Sequence, residues 1–165
     1  QIPTHVKEIN SIKCSHFEPR LFLTPGSDGF VKISDLNVGK AVFNFMGHRG
    51  QVHEAVFHPT SRHQNYGLII QCGHDCFGGL GRQLQNLDVK TQKNAVAIPA
   101  HMQEVLTCDF SKYEDIIATG SGDNTIRLWD LRMVSRPLIM LLGHRYAVKK
   151  LRYSPFSANH LLSAS

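Results

Sequence analysis

The chain has 165 residues, 42% of them hydrophobic and 19% charged, which is enough apolar material for one packed core in an ordinary globular protein. Its net charge of +5 comes from Lys and Arg spread along the chain rather than massed in a block, which weighs against nucleic acid as a partner, and the one local group, Arg145, Lys149, Lys150 and Arg152, reads as a solvated strand face. Apolar runs such as Leu138 to Leu142 fall far short of the roughly 18 to 20 residues of a membrane helix, no secretory leader pattern is present, and the four scattered cysteines (Cys14, Cys72, Cys76, Cys108) make no disulfide framework, so reduced thiols, a cytosolic setting and no membrane insertion are expected.

The first unit of the chain opens at His5. Ile9 follows four residues on, and Ile12 and Cys14 then alternate with period two, which predicts a strand with both side chains on one face. A second apolar run, Leu21 to Leu23, leads into Gly26-Ser27-Asp28-Gly29, residues that tolerate the positive φ of a tight hairpin. A further strand over Ala41 to Met46 brings the chain to His48.

There the pattern restarts, with Val52, Ala55 and Phe57 in the same places. The second unit continues through Leu68 to Ile70, the turn Gly73-His74-Asp75, an insertion Phe77-Gly78-Gly79-Leu80-Gly81-Arg82, and a strand over Asn94 to Ile98. That insertion makes a distorted or loosely packed unit the expectation. The third unit, from His101, is the most regular. It has Val105, Cys108 and Phe110, then Ile116 to Ala118, the turn Gly122-Asp123-Asn124, a strand over Thr125 to Asp130, and another over Leu138 to Leu142. The fourth begins at His144 and carries Val148, Leu151, Tyr153 and Leu161-Leu162.

The four histidines are spaced by 43, 53 and 43 residues, and each complete unit predicts four short antiparallel strands. No segment combines a 3.6-residue apolar period with a capping signal, so long helices are not expected. The unit bounds are approximately 5–46, 48–99, 101–142 and a partial 144–165. By the spacing of the third unit, the chain stops where the turn of the fourth is due, so three units and the first half of another are expected. An open stack of this kind leaves sheet edges unpaired, and such a piece alone is expected to be unstable or self-associating.

Gly47-His48, Gly143-His144 and Trp129-Asp130 are signature pairs through which the sequence resembles the WD-repeat family. The resemblance implies an all-β fold, a partial β-propeller of about three four-stranded blades plus the start of a fourth. It also implies, in each blade, a buried hydrogen-bonded set of His, Ser or Thr, Asp and Trp. His101, Thr119, Asp123 and Trp129 match all four positions. His5, Thr24 and Asp28 match three, with Ser34 in place of tryptophan, so a weaker network is expected there. His48 and Asp75 match two, with Gln71 in the hydroxyl position and Leu87 before Asp88, and His144 and Ser163 are the pair available to the fourth unit.

These residues admit other readings. A His, Asp and Ser or Thr set has the composition of a hydrolase triad, yet a triad needs an exposed nucleophile and an oxyanion site, whereas this set recurs with every repeat, so no enzyme activity is expected. Cys72, His74 and Cys76 have metal-ligating side chains, but no second pair accompanies them, and no metal or cofactor is expected. Gly78, Gly79 and Gly81 are followed by no Gly-Lys-Ser/Thr and read as a flexible insertion rather than a phosphate loop.

Within the family, the stretch from Ile98 onward is the most particular: Ile98-Pro99-Ala100-His101, Glu104 to Phe110, Tyr146-Ala147-Val148 and Tyr153-Ser154-Pro155-Phe156. It resembles the receptors for type-2 peroxisomal targeting signals. That resemblance implies a protein that binds an N-terminal peptide with Arg-Leu and His-Leu pairs and cycles from the cytosol to the peroxisome with a co-receptor and docking proteins. The peptide is expected on the face formed by the loops preceding each unit's first strand. There Glu8, Gln51 and Glu104 lie three residues after a repeat histidine, and two carboxylates suit a cargo arginine. Met102 and Tyr146 are the residues expected to cover its leucine, and solvated loop carboxylates are the alternative reading of Glu8 and Glu104.

Overall fold

The computed structural model describes residues 5–15, 18–46, 48, 50–59, 68–73, 83–88, 93–130, 132–133 and 135–165, with the backbone alone for 68–73, 83–88 and 93–97. Among these residues there are fourteen strands and no helix. Strands β1 (Lys13–Cys14), β2 (Leu21–Pro25), β3 (Phe30–Asp35) and β4 (Lys40–Met46) form one sheet in chain order. Strands β5 (Val52–Phe57), β6 (Leu68–Gly73), β7 (Gln83–Asp88) and β8 (Lys93–Pro99) form a second. A third contains β9 (Val105–Phe110), β10 (Ile116–Ser121), β11 (Ile126–Asp130) and β12 (Ile139–Leu141), and β13 (Lys150–Tyr153) pairs with β14 (Leu161–Ala164). Each pairing is antiparallel between chain neighbours. This is the architecture of a partial all-β propeller.

Turn chemistry fixes the registers. Asn124 takes φ 66° between β10 and β11, and Gly29 takes φ 84° between β2 and β3. A Cβ at Gly29 would also lie 2.7 Å from the His48 carbonyl oxygen, so the turn of one sheet approaches the loop entering the next as only glycine permits.

Three apolar layers hold the stack together. Leu21, Leu23, Val31, Ile33 and Phe45 of the first sheet bury against Val52 and Ala55 of the second. Val56 and Ile98 of the second join Val105, Cys108, Phe110, Ile117 and Trp129 of the third. Ala118 and Ile126 of the third meet Val148 and Leu151 of the fourth pair. Alternation along each strand supplies this arrangement, because one set of side chains meets the preceding sheet and the other set the following one.

The structure departs from the sequence expectation in places. The predicted fourth strand over 138–142 is the shorter β12, all of it exposed. The predicted first strand is reduced to the two residues of β1, with Ile12 outside it, 61% exposed, and Cys14 exposed. The reason lies in the packing, since β5 seats mainly on β2 rather than on β1. In the second sheet the antiparallel ladder is complete, with register shifts at Val52/Glu54 and Asn86/Leu87, and each of the other four-stranded sheets carries one such shift. The glycine-rich stretch 77–82 lies outside the described residues, as do His74 and Cys76.

Candidate functional site

In the third sheet, four side chains form a directed chain of hydrogen bonds. The Trp129 indole N–H donates to Thr119 Oγ1 at 3.0 Å, and Thr119 Oγ1 lies 2.7 Å from His101 Nε2. His101 Nδ1 is 3.1 and 3.2 Å from the two Asp123 carboxylate oxygens. Burial of the ring pushes the His101 pKa down to about 4, against the pull of Asp123, so the imidazole is neutral at pH 7. With Nδ1 carrying the proton for Asp123, Nε2 accepts from the threonine hydroxyl, and each member has a partner. Burial opposes ionisation of Asp123, but the Thr125 hydroxyl at 2.7 Å, the Met102 backbone N–H at 2.9 Å and His101 hold its carboxyl down at about 2. A Thr119 hydroxyl buried under an indole cannot reach a substrate, so this set ties the turn to the loop that enters its sheet.

The first sheet repeats part of this arrangement. His5 Nδ1 is 2.8 Å from Asp28, and His5 Nε2 is 3.0 Å from Thr24 Oγ1 and 2.7 Å from the Thr24 carbonyl oxygen. Ser34 is fully buried where the third sheet has Trp129, and its hydroxyl finds no hydrogen-bond partner among the described residues. In the fourth pair His144 Nε2 lies 2.8 Å from Ser163 Oγ. His48 is 1% exposed, while Asp75 lies outside the described residues, as do the side chains of Gln71 and Leu87.

The same contacts define one face of the molecule. The Ser27 N–H donates to the Glu8 carbonyl and the Gly122 N–H to that of Glu104, so each turn rests on the loop entering its own sheet. The Val52 N–H donates to the Gly26 carbonyl and the Val148 N–H to that of Ser121, which joins the same turns to the next loop. Glu8, Gln51, Met102, Glu104 and Tyr146 all lie on these loops. Met102 is 65% and Tyr146 76% exposed, Glu8 and Gln51 are exposed, and Glu104 is half-exposed with its Oε2 3.8 Å from His53 Nε2. Among the described residues, no hydrogen bond links the side chains of Glu8, Gln51, Met102 and Tyr146 to one another.

One cluster has no counterpart in the sequence reading. Glu54 of β5 is completely buried and reaches all the other sheets. Lys13 Nζ of β1 is 3.0 Å from its Oε1, the Thr107 hydroxyl of β9 donates to Oε2 at 2.6 Å, and both terminal nitrogens of Arg152 of β13 donate to Oε1 at 3.1 Å. Lys150 Nζ is 3.8 Å from Oε2. Burial alone would raise the Glu54 pKa, but Lys13, Thr107 and Arg152 hold its carboxyl below the usual range. Arg152 is therefore partly engaged, rather than simply solvated as its sequence neighbourhood suggests. The available signal was Glu54 itself, a lone carboxylate among the buried Val52, Ala55 and Val56 of β5.

Comparison with known proteins is consistent with this architecture. The family model described as "WD domain, G-beta repeat" matches residues 92–130. Over 138 residues, 71% of the chain, the sequence is 29% identical to the "Peroxisomal targeting signal 2 receptor" of Saccharomyces cerevisiae, of which that alignment covers 35%. It is 44% identical over 59 residues, 35% of the chain, to "Ribosome assembly protein 4" of Chaetomium thermophilum, covering 11% of that protein. It is 30% identical over 87 residues, 52% of the chain, to "WD repeat-containing protein srw1" of Schizosaccharomyces pombe, covering 16% of it. The chain thus spans about a third or less of the length of these relatives.

Proposed function

We propose that this WD-repeat chain is part of a receptor for type-2 peroxisomal targeting signals, a non-catalytic protein that binds cargo peptides in the cytosol and carries them to the peroxisome with a co-receptor. The observation that carries the reading is the 29% identity, over 71% of the chain, to a protein named as such a receptor. The exposed loop face supports it. A peptide arginine needs carboxylates presented to solvent, and Glu8 and Glu104 meet that need, while Met102 and Tyr146 offer apolar surface beside them. Glu8, Gln51, Glu104, Met102 and Tyr146 are the residues we assign to cargo. The histidine-centred sets His5-Thr24-Asp28, His101-Thr119-Asp123-Trp129 and His144-Ser163 hold the loops that present them.

A second reading, a scaffold subunit for assembly of a protein complex, is favoured by the 44% identity over a shorter stretch to a ribosome assembly protein. A pull-down separates the two. The full-length protein is offered an immobilised peptide bearing the Arg-Leu and His-Leu pairs and a control with both pairs replaced by Ala-Ala. Retention on the first peptide alone is the expected result, and equal retention on both, or on neither, would leave the scaffold reading.

A further inference from the structure

The cargo reading uses one end of the first strands and leaves the other end unassigned. Strands β5, β9 and β13 run away from the loop face, and their far ends, together with β1, surround a cavity of about 560 Å³, within the usual range for a ligand site. Its walls are in good part apolar, from Ile12, Val56, Phe57, Phe110 and Pro155. Lys13, Lys112 and Arg152 also line it, together with Asp109 and Tyr153.

The charge there does not balance. Glu54, buried beside the cavity, is one carboxylate facing Lys13, Arg152 and Lys150. Burial raises the Asp109 pKa against the pull of Lys13 and Arg152, and its Oδ2 already accepts the Tyr153 backbone N–H at 2.8 Å. Lys112 has no ion pair among the described residues. The Tyr153 hydroxyl makes no hydrogen bond among them either, and burial, with Asp109 and Glu114 nearby, pushes its pKa up to about 12, so at neutral pH it remains a donor. Cationic and hydroxyl donors thus stand beside aromatic and aliphatic surface, with too few acceptors to occupy them.

We propose that this cavity is a second binding site, which takes an acidic segment of a partner protein, a Glu or Asp side chain flanked by an apolar one. The carboxylate completes the charge of Lys112 and Arg152 and accepts from the Tyr153 hydroxyl, and the apolar neighbour covers Phe57 and Pro155. A bare inorganic anion would leave those walls facing water, which is why a peptide is the better fit. The site lies at the opposite ends of the strands from the cargo loops, so the two are separable by experiment.

The probe is a fluorescein-labelled Phe-Glu-Leu-Asp amide, titrated against the full-length protein by anisotropy. Saturable binding is expected, weakened about tenfold by Lys112→Glu and by replacing Glu and Asp of the probe with Gln and Asn. Binding of the peptide with the Arg-Leu and His-Leu pairs should be unchanged in Lys112→Glu, which also reports that the variant is folded. No saturable binding, equal binding of the neutral probe, or full displacement by millimolar inorganic phosphate with no dependence on the probe's Phe and Leu would overturn the proposal.

Discussion

At the scale of single residues, the account turns on two carboxylates doing different work. Asp123 accepts from His101, from the Met102 and Thr125 backbone N–H groups and from the Thr125 hydroxyl, whereas Glu104 stands at the surface near His53. Asp123→Ala leaves those donors without an acceptor and should cost about 3 kcal/mol, while Glu104→Ala should move stability by no more than about 0.5 kcal/mol. Urea denaturation of the full-length variants checks this, and equal losses would contradict it. The buried imidazole adds a pH signature. His101 takes up its proton only near pH 4 in the folded chain but near 6.5 when unfolded, so the unfolded state binds more protons in between. Stability should therefore fall as the pH drops from 6.5 to 4, by about 3 kcal/mol from this group, and Asp123 adds a loss only below about pH 4. His101 and Asp123 were legible in the sequence because a His and an Asp stand nearly the same distance apart in the first and third units, 23 and 22 residues. Glu54 was not, since its partners Thr107 and Arg152 lie 53 and 98 residues away and no local pattern announces them.

At the scale of elements, hairpins are what a sequence specifies best here. The runs at 21–23, 68–70 and 116–118, with their Gly, Asp and Asn turns, lie within β2, β6 and β10, because a two-strand hairpin needs only local alternation and a residue that accepts positive φ. The extent of β1 was not legible, because it depends on which neighbour arrives, and β5 seats on β2 instead. Between sheets, close approach replaces local pattern. A Cβ at Gly120 of β10 would stand 2.7 Å from Val148 Cγ1 and 2.9 Å from Thr107 Cγ2, so the third and fourth sheets meet over a residue with no side chain. Glu54 is the ionic equivalent of that contact. Glu54→Ala strands Lys13 and Arg152 against each other beside a buried void and should lower stability by about 3 kcal/mol, with Glu54→Gln recovering part of it through the Thr107 hydroxyl. Thermal melts of the full-length variants read this out, and an unchanged midpoint in Glu54→Ala would show that the cluster ties nothing together.

At the scale of the molecule, repeated sheets stack through three apolar layers. The propeller architecture follows from the repeat, but the assignment of a partner does not, because a fold leaves its exposed loop residues free to differ from one unit to the next. Glu104 sits one residue before the buried Val105, and only its exposure, not its spacing, distinguishes a binding carboxylate from a structural one. The most direct measurement is a double-mutant cycle on the full-length protein, pairing Glu104→Gln with replacement of the cargo peptide's arginine by methionine, followed by titration calorimetry. A receptor that reads its cargo through this loop face predicts that each change alone weakens binding about tenfold and that the two together weaken it little further, a coupling of at least about 1 kcal/mol. Additive losses, or peptide binding indifferent to both changes, would contradict the account.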